Sequence, residues 1–99
     1  MREETKRWWD KSQDDLEKAK ILFKSKKYDG TVFFCQQSIE KGIKALMLEE
    51  KNTLKKIHDL VALGKEVKLP QNLLEYCKEI TSSYIYARYP DVEEEKDIE

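Results

Sequence analysis

Apolar residues recur along the chain at the three- and four-residue spacing of amphipathic helices, and no segment alternates with a strand-like period of two. The first helix is predicted over about Glu3–Lys24, with charged residues mostly on its other side. Its apolar stripe is Trp9, Leu16, Ala19 and Phe23. The Asp29-Gly30 dipeptide is a turn signal and predicts a turn before the second helix.

The second helix is predicted over about Thr31–Lys51. Its stripe is Val32, Cys35, Ile39, Ile43 and Leu46, and further apolar residues widen it at both ends. Because apolar residues cover more than one face, we expect this helix at the centre of a bundle.

Two further helices follow a basic connector. The third is predicted over about Ile57–Glu66 with Leu60, Val61, Leu63 and Val67 for burial. Pro70 suits the first turn of the fourth helix, because its missing N–H costs nothing there, and Pro90 ends it. The fourth stripe is Leu73, Cys77, Ile80, Tyr84 and Ala87. With short connectors, neighbours should run antiparallel, which predicts an all-α, up-and-down helical bundle of about four helices.

Charge divides the chain unevenly. The last nine residues contain six acids and one lysine, so residues 1–90 carry 18 basic and 14 acidic groups. We expect a helical bundle over 1–90 and an acidic tail over 91–99 that is disordered or begins another helix. The lysine excess of the bundle permits phosphate contacts without demanding them.

Several classes of protein are disfavoured by composition. No apolar run approaches the roughly 20 residues of a membrane span, and the charged N-terminus lacks the apolar core of a signal peptide. Cys35 and Cys77 lie on apolar stripes, which is typical of buried thiols in a reducing compartment. These features predict a soluble, cytoplasmic protein without membrane association.

One face of the second helix carries Gln37, Glu40, Lys41 and Lys44, spaced three, four and seven residues from the first. One interpretation is the solvated edge of an amphipathic helix with a single ion pair, Glu40 to Lys44. The other is a groove in which both lysines meet phosphate and the amide hydrogen-bonds a base.

Candidate catalytic chemistry is sparse. His58 is the only histidine, and neither a metal-ligand spacing nor a glycine-rich phosphate loop is present. We therefore expect no metal and no cofactor.

The end of the fourth helix reads SSYIYARYPD. Arg88 suits bidentate recognition of phosphate, and Tyr84, Tyr86 and Tyr89 offer surface for stacking on a base. The alternative is that Tyr84 belongs to the core and Arg88 caps the helix.

These segments together resemble the HEPN domain. The matching pieces are WWDKSQDDLEKAKILF followed by Tyr28, then FFCQQSIEKGIKAL, HDLVAL and YARYPD, over about residues 8–91. The resemblance implies a bundle of four or five helices that forms homodimers and associates with nucleotides or RNA, often beside a small nucleotidyltransferase in a toxin–antitoxin pair. It also implies that the Gln37–Lys44 face and Arg88 border the dimer cleft. The residues that we expect to bind the nucleotide or RNA are Gln37, Lys41, Lys44, Arg88 and Tyr89.

The chain departs from the ribonuclease members of that family. Those carry an arginine, four to six residues, and then a histidine. The corresponding positions after Arg88 are Glu93, Glu94 and Glu95, and an exposed glutamate is a poor general base at neutral pH. His58 would substitute only if folding carried it to Arg88.

Three functions follow as hypotheses. The first is a non-catalytic module that binds nucleotide, RNA or a nucleotidyltransferase. The second is a metal-independent ribonuclease toxin that uses Arg88 with His58 or a glutamate. The third is a structural homodimer without a ligand.

Overall fold

Four helices and no strand make up the part of the chain that the computed structural model describes, residues 1–88. The helices are α1 (Glu3–Lys24), α2 (Tyr28–Lys51), α3 (Leu60–Glu66) and α4 (Gln71–Arg88). α2 packs against each of the other three. These observations confirm the all-α bundle and the central position of its second helix, while Pro90 and the acidic tail lie outside the described residues.

The turn between α1 and α2 falls earlier than predicted. It lies at 25–27, where Lys26 takes a left-handed conformation with φ of 61° and Lys27 N donates to Leu22 O at 2.8 Å. The expected turn at Asp29-Gly30 is wrong, because both residues belong to the first turn of α2. Gly30 packs closely against α1, since a Cβ there would lie 2.9 Å from Leu22 Cδ1, the end of a side chain that would have to shift.

α1 and α2 run antiparallel at close range. Near the start of α1, Arg2 N donates to Glu49 Oε1 at 3.0 Å. At mid-length, Ser12 Oγ donates to Ser38 O at 2.7 Å and Ser38 Oγ donates back to Ser12 O at 2.9 Å. These reciprocal bonds satisfy both buried hydroxyls and fix the register of the two helices.

The apolar core lies on the other side of α2, against α3 and α4. Its buried members are Ile43, Met47, Leu60, Leu63, Val67 and Cys77. The predicted burial of α3 through Leu60, Leu63 and Val67 is therefore confirmed. Both cysteines are free thiols, and Cys35 is only half-buried while Cys77 is buried.

The predicted apolar stripe of α1 is confirmed only in part: Ala19 is buried and Leu16 is half-buried, but the two aromatic members are exposed. Trp9 is 44% exposed and Phe23 is 59% exposed. The residues that α1 buries are Thr5, Ser12, Asp15 and Ala19. Hydropathy fails here because close approach of two helices selects small side chains and leaves bulky ones at the flanks.

α3 begins at Leu60, three residues later than predicted. The side chain of Asp59 caps it, since Oδ1 accepts hydrogen bonds from Val61 N at 2.9 Å and Ala62 N at 3.1 Å. Ile57 and His58 therefore lie in the connector, and His58 does not belong to α3. None of the helices in residues 1–88 combines the length and apolarity required to span a bilayer.

Candidate functional site

The polar face of α2, which consists of Gln37, Glu40, Lys41 and Lys44, lies between the two packing surfaces of that helix. On one side Ser38 meets α1, and on the other Ile43 and Met47 enter the apolar core. The shared face predicted from spacing is thus present. Its charged members form two separate ion-pair clusters.

Lys41 belongs to the first cluster. Its ammonium donates to the carboxylate of Asp15 on α1 and lies 3.4 Å from Gln37 Oε1. The side chain of Asp15 is only 2% exposed, so the pair closes the α1–α2 interface at this level. A buried carboxylate requires such a partner, and the role of Lys41 here includes neutralising it.

Lys44 belongs to the second cluster. Its ammonium donates to Glu40 Oε2 at 2.8 Å and lies 5.6 Å from the centroid of the Trp8 ring. His58 Nδ1 reaches the same carboxylate oxygen at 2.9 Å. Burial alone would raise the pKa of Glu40, but the hydrogen bonds from Lys44 and His58 outweigh it and hold that pKa below its ordinary value.

This second cluster corrects the interpretation of the polar face as an edge. Lys44 is 5% exposed, covered by groups from α1 and from the connector before α3. The polar residues at this end are therefore interior, and neither a solvated edge nor an open groove describes them. Lys41 and Gln37 are half-buried and keep access to the surface.

Arg88 lines a cavity of about 370 Å³ at the opposite end of the polar face. The other lining residues are Asp29, Gly30, Phe33, Tyr84 and Ala87. The guanidinium donates to the Tyr84 hydroxyl and lies 5.7 Å from the centroid of that ring. Phe33 and Tyr84 face each other with centroids 6.0 Å apart, so two rings and a cation share one concave surface.

The cavity and the polar face are continuous along α2. Phe33 and Gln37 occupy successive turns, and Lys41 follows one turn later, about 12 Å from Phe33 at 1.5 Å per residue. The structure thus brings Arg88, Gln37 and Lys41 onto one side of α2. Tyr89 lies outside the described residues.

His58 is separated from the arginine cavity. It contacts Glu40, seven residues or about 10 Å along α2 from Phe33. The histidine is therefore held by a carboxylate at the far end of the face. Within residues 1–88, no group of three or more histidine, cysteine, aspartate or glutamate side chains is arranged to hold a metal ion.

Sequence reasoning missed three contributors to this region. No pattern in the sequence singled out Asp15, Trp8 or Phe33 as part of a site. The signal available for Asp15 was its spacing of four residues from the buried Ala19, which placed it on the buried side of α1.

Together these features define a small all-α bundle whose central helix carries a polar face that ends at an arginine- and aromatic-lined cavity. A sequence model of the HEPN domain matches residues 5–99. The chain therefore belongs to the HEPN domain family, as its motifs indicated. Searches of curated proteins and of solved structures gave no significant match.

Proposed function

We propose that this chain is a non-catalytic HEPN module that binds nucleotides or RNA. The observation that carries the proposal is the cavity at the end of α4, where the Arg88 guanidinium lies beside the rings of Tyr84 and Phe33. Proteins bind unpaired nucleotides by combining positive charge with aromatic surface for base stacking. The cavity has the volume of a small-ligand site, since such sites occupy about 300–1,000 Å³.

The two chemical parts of the cavity divide the recognition of a nucleotide between them. The exposed part of Phe33 offers a face to a base, and stacking of this kind contributes about 1–3 kcal/mol per base. The guanidinium of Arg88 is suited to a phosphate, because its planar fork can donate two parallel hydrogen bonds. Gln37, one turn further along α2, adds an amide at the border.

The non-catalytic part of the proposal rests on the absence of a suitable base near Arg88 in the sequence. The positions at ribonuclease spacing hold Glu93, Glu94 and Glu95. The lone histidine binds Glu40 at 2.9 Å, about 10 Å along α2 from the cavity. Metal-independent cleavage needs a base within hydrogen-bond reach of the ribose 2′-OH, so binding without cleavage fits these residues better.

We also propose that the module works as a homodimer and beside a small nucleotidyltransferase, as a toxin–antitoxin pair. The nucleotidyltransferase partner and the toxin–antitoxin role rest on membership of the family. The support for the homodimer is apolar surface on the side of α1–α2 away from the polar face, so the proposed dimer contact lies on a different side from the cleft that the resemblance implies. There Trp9 and Leu46 border a groove of about 320 Å³ together with Gly42 and Ala45. Exposed apolar surface of this kind marks contact sites between proteins. Light scattering of the purified chain, alone and mixed with the product of the adjacent gene, tests both assemblies.

Calorimetric titration with AMP and with a short oligoribonucleotide tests the binding function. We expect binding by the wild type, and a loss of at least about tenfold in Arg88→Ala, since one charge-assisted hydrogen bond contributes about 1.5–3 kcal/mol. Lys78→Ala is the matched control, because Lys78 is an exposed cation on the same helix. Equal affinities in all three proteins would contradict the proposal.

The same variants separate binding from catalysis. Cleavage of RNA by the wild type and Lys78→Ala, but not by Arg88→Ala, would establish a ribonuclease in place of a binding module. Absence of binding to every nucleotide and to RNA, in a chain that still dimerises, would leave the structural homodimer.

A further inference from the structure

A second cationic pocket lies on the α1 side of the polar face. It has a volume of about 230 Å³ and is lined by Arg7, Trp8, Lys11 and Lys41. We call these four residues the α1 pocket. Three of its four lining side chains are cations and the fourth is an indole, which is the same pairing of positive charge with aromatic surface that the Arg88 cavity shows.

The lysines around this pocket outnumber the carboxylates that neutralise them. Lys11, Lys18 and Lys41 share Asp14 and Asp15, with Lys18 Nζ at 3.2 Å from Asp14 and Lys11 Nζ at 3.8 Å from Asp15. Hydrogen bonds from Lys18 and then Lys11 hold the pKa of Asp14 below its ordinary value. Three ammonium groups and two carboxylates leave one positive charge uncompensated.

Arg7 adds a further cation to the α1 pocket. Its nearest carboxylate is that of Glu3 at 3.9 Å, and both side chains are mostly exposed. An exposed ion pair at that distance contributes little, so the guanidinium keeps most of its capacity for an incoming anion. The planar fork of a guanidinium matches the geometry of phosphate as it does that of carboxylate, so a phosphate can bind here.

We propose that the α1 pocket binds a backbone phosphate of a single-stranded nucleic acid whose neighbouring nucleotide occupies the Arg88 cavity. This inference rests on the proposed function and extends it, because it makes the ligand a strand and not a free nucleotide. Phe33 and Lys41 mark the two sites on one side of α2, about 12 Å apart along the helix. A nucleoside monophosphate has one phosphate and can fill only one of them.

Trp8 completes the α1 pocket as a binding surface for a strand. Its indole already lies 5.6 Å from the Lys44 ammonium, which holds it in place between α1 and α2. Proteins that bind single strands without sequence preference alternate cations with aromatic platforms in this way. No group in the α1 pocket distinguishes ribose from deoxyribose, so RNA and DNA strands share the chemistry that it recognises.

The test is titration of the full chain with AMP, an RNA hexamer and the matching DNA hexamer over a range of salt concentrations. The variant is Arg7→Gln with Lys11→Gln. The matched control is Lys20→Gln with Lys24→Gln, which removes the same charge from the same helix, and Lys20 lies half a turn around α1 from Lys11. Circular dichroism establishes that each variant is folded.

We expect the Arg7/Lys11 variant to lose roughly tenfold in affinity for both hexamers, as for one charge-assisted hydrogen bond. The slope of log K against log salt should fall in magnitude by about 0.7, the value for one phosphate contact on a single strand. AMP affinity and the control should be unchanged. A higher affinity for the RNA hexamer than for the DNA hexamer would show that a group outside the α1 pocket contacts the ribose.

Two results would overturn the inference and leave the proposed function standing. In the first, the Arg7/Lys11 variant binds the hexamers with the same affinity and the same salt slope as the control, while Arg88→Ala still weakens the binding of AMP. In the second, the wild-type protein binds AMP but binds neither hexamer. Failure of the proposed function looks different, since Arg88→Ala would then bind AMP as well as the wild type does.

Discussion

The buried pair Glu40–Lys44 provides a quantitative test of the interior polar cluster. Glu40→Gln keeps the size of the side chain and removes its charge. The side chains of Glu40 and Lys44 are 12% and 6% exposed, so the substitution leaves an ammonium group with little access to water. Removing one partner of a fully buried ion pair costs about 3–5 kcal/mol, whereas an exposed pair contributes about 0.2–1 kcal/mol.

The expected cost lies between these limits. The glutamine oxygen still accepts a hydrogen bond from Lys44, and the Trp8 ring remains near the ammonium at 5.6 Å, an interaction that contributes about 0.5–2 kcal/mol. We therefore expect a loss of about 2 kcal/mol in the free energy of unfolding. For a domain of this size that corresponds to a decrease in Tm of roughly 8–16 °C.

Urea and thermal unfolding followed by circular dichroism measure this cost. The control is Asp10→Asn, which removes the acid of Lys6–Asp10, another pair four residues apart within one helix, at 2.6 Å but more than half exposed. We expect the control to lose less than about 0.5 kcal/mol. Adding Lys44→Met to Glu40→Gln should restore part of the stability, because no buried charge then remains. Equal losses in Glu40→Gln and Asp10→Asn would refute the reasoning.

Three further predictions follow from the same contacts. Because hydrogen bonds from Lys44 and His58 hold the folded-state pKa of Glu40 below its ordinary value, its contribution is complete above the ordinary value and is lost as pH falls through the folded one. The difference in the free energy of unfolding between wild type and Glu40→Gln should therefore narrow as the pH is lowered into the acid range, and a constant difference would contradict the assignment. Asp59→Ala removes the cap of α3 and should cost about 1 kcal/mol, measured by urea unfolding, whereas the neighbouring Lys56→Ala should cost almost nothing. Ser12→Ala leaves the Ser38 carbonyl without its hydroxyl donor and should lower the free energy of unfolding, measured with urea, by about 1–3 kcal/mol. If the loss is no larger than that of Gln13→Ala, a substitution at an exposed position, the reciprocal bonds do not hold α1 against α2.

The periodic spacing of apolar residues located the helices, because it indicates which side of each helix packs against the rest of the bundle. It identified the buried side of the third helix, since Leu60 and Leu63 are both apolar and buried, but it set the start of that helix three residues too early. In α1 it was right for Ala19 but failed for the aromatic residues, because the side that meets α2 carries mostly polar or small side chains. The pattern of Trp9 and Phe23 indicated an apolar face, but the close approach at Ser12 depends on steric fit, which a hydropathy pattern does not record.

The polar face of α2 could be predicted as a face but not as two clusters. Glu40 and Lys44 have the same spacing whether the pair is buried or exposed. The groups that contact the pair, Trp8 and His58, come from distant segments and meet it only in the folded chain. The partner of Lys41 is equally remote, because Asp15 belongs to a different helix.

The balance of charge at each cluster, more than the number of lysines, determines where an anion can bind. At Lys44 a phosphate would have to replace Glu40, a carboxylate already in place at 2.8 Å, so the exchange gains little and disturbs a buried group. Around the α1 pocket three lysines share two aspartates, and an added phosphate completes the neutralisation. Lys41 and Lys44, only three residues apart in the sequence, are thereby assigned different roles: Lys41 borders a surface that an anion can reach, and Lys44 stabilises the interior beneath it.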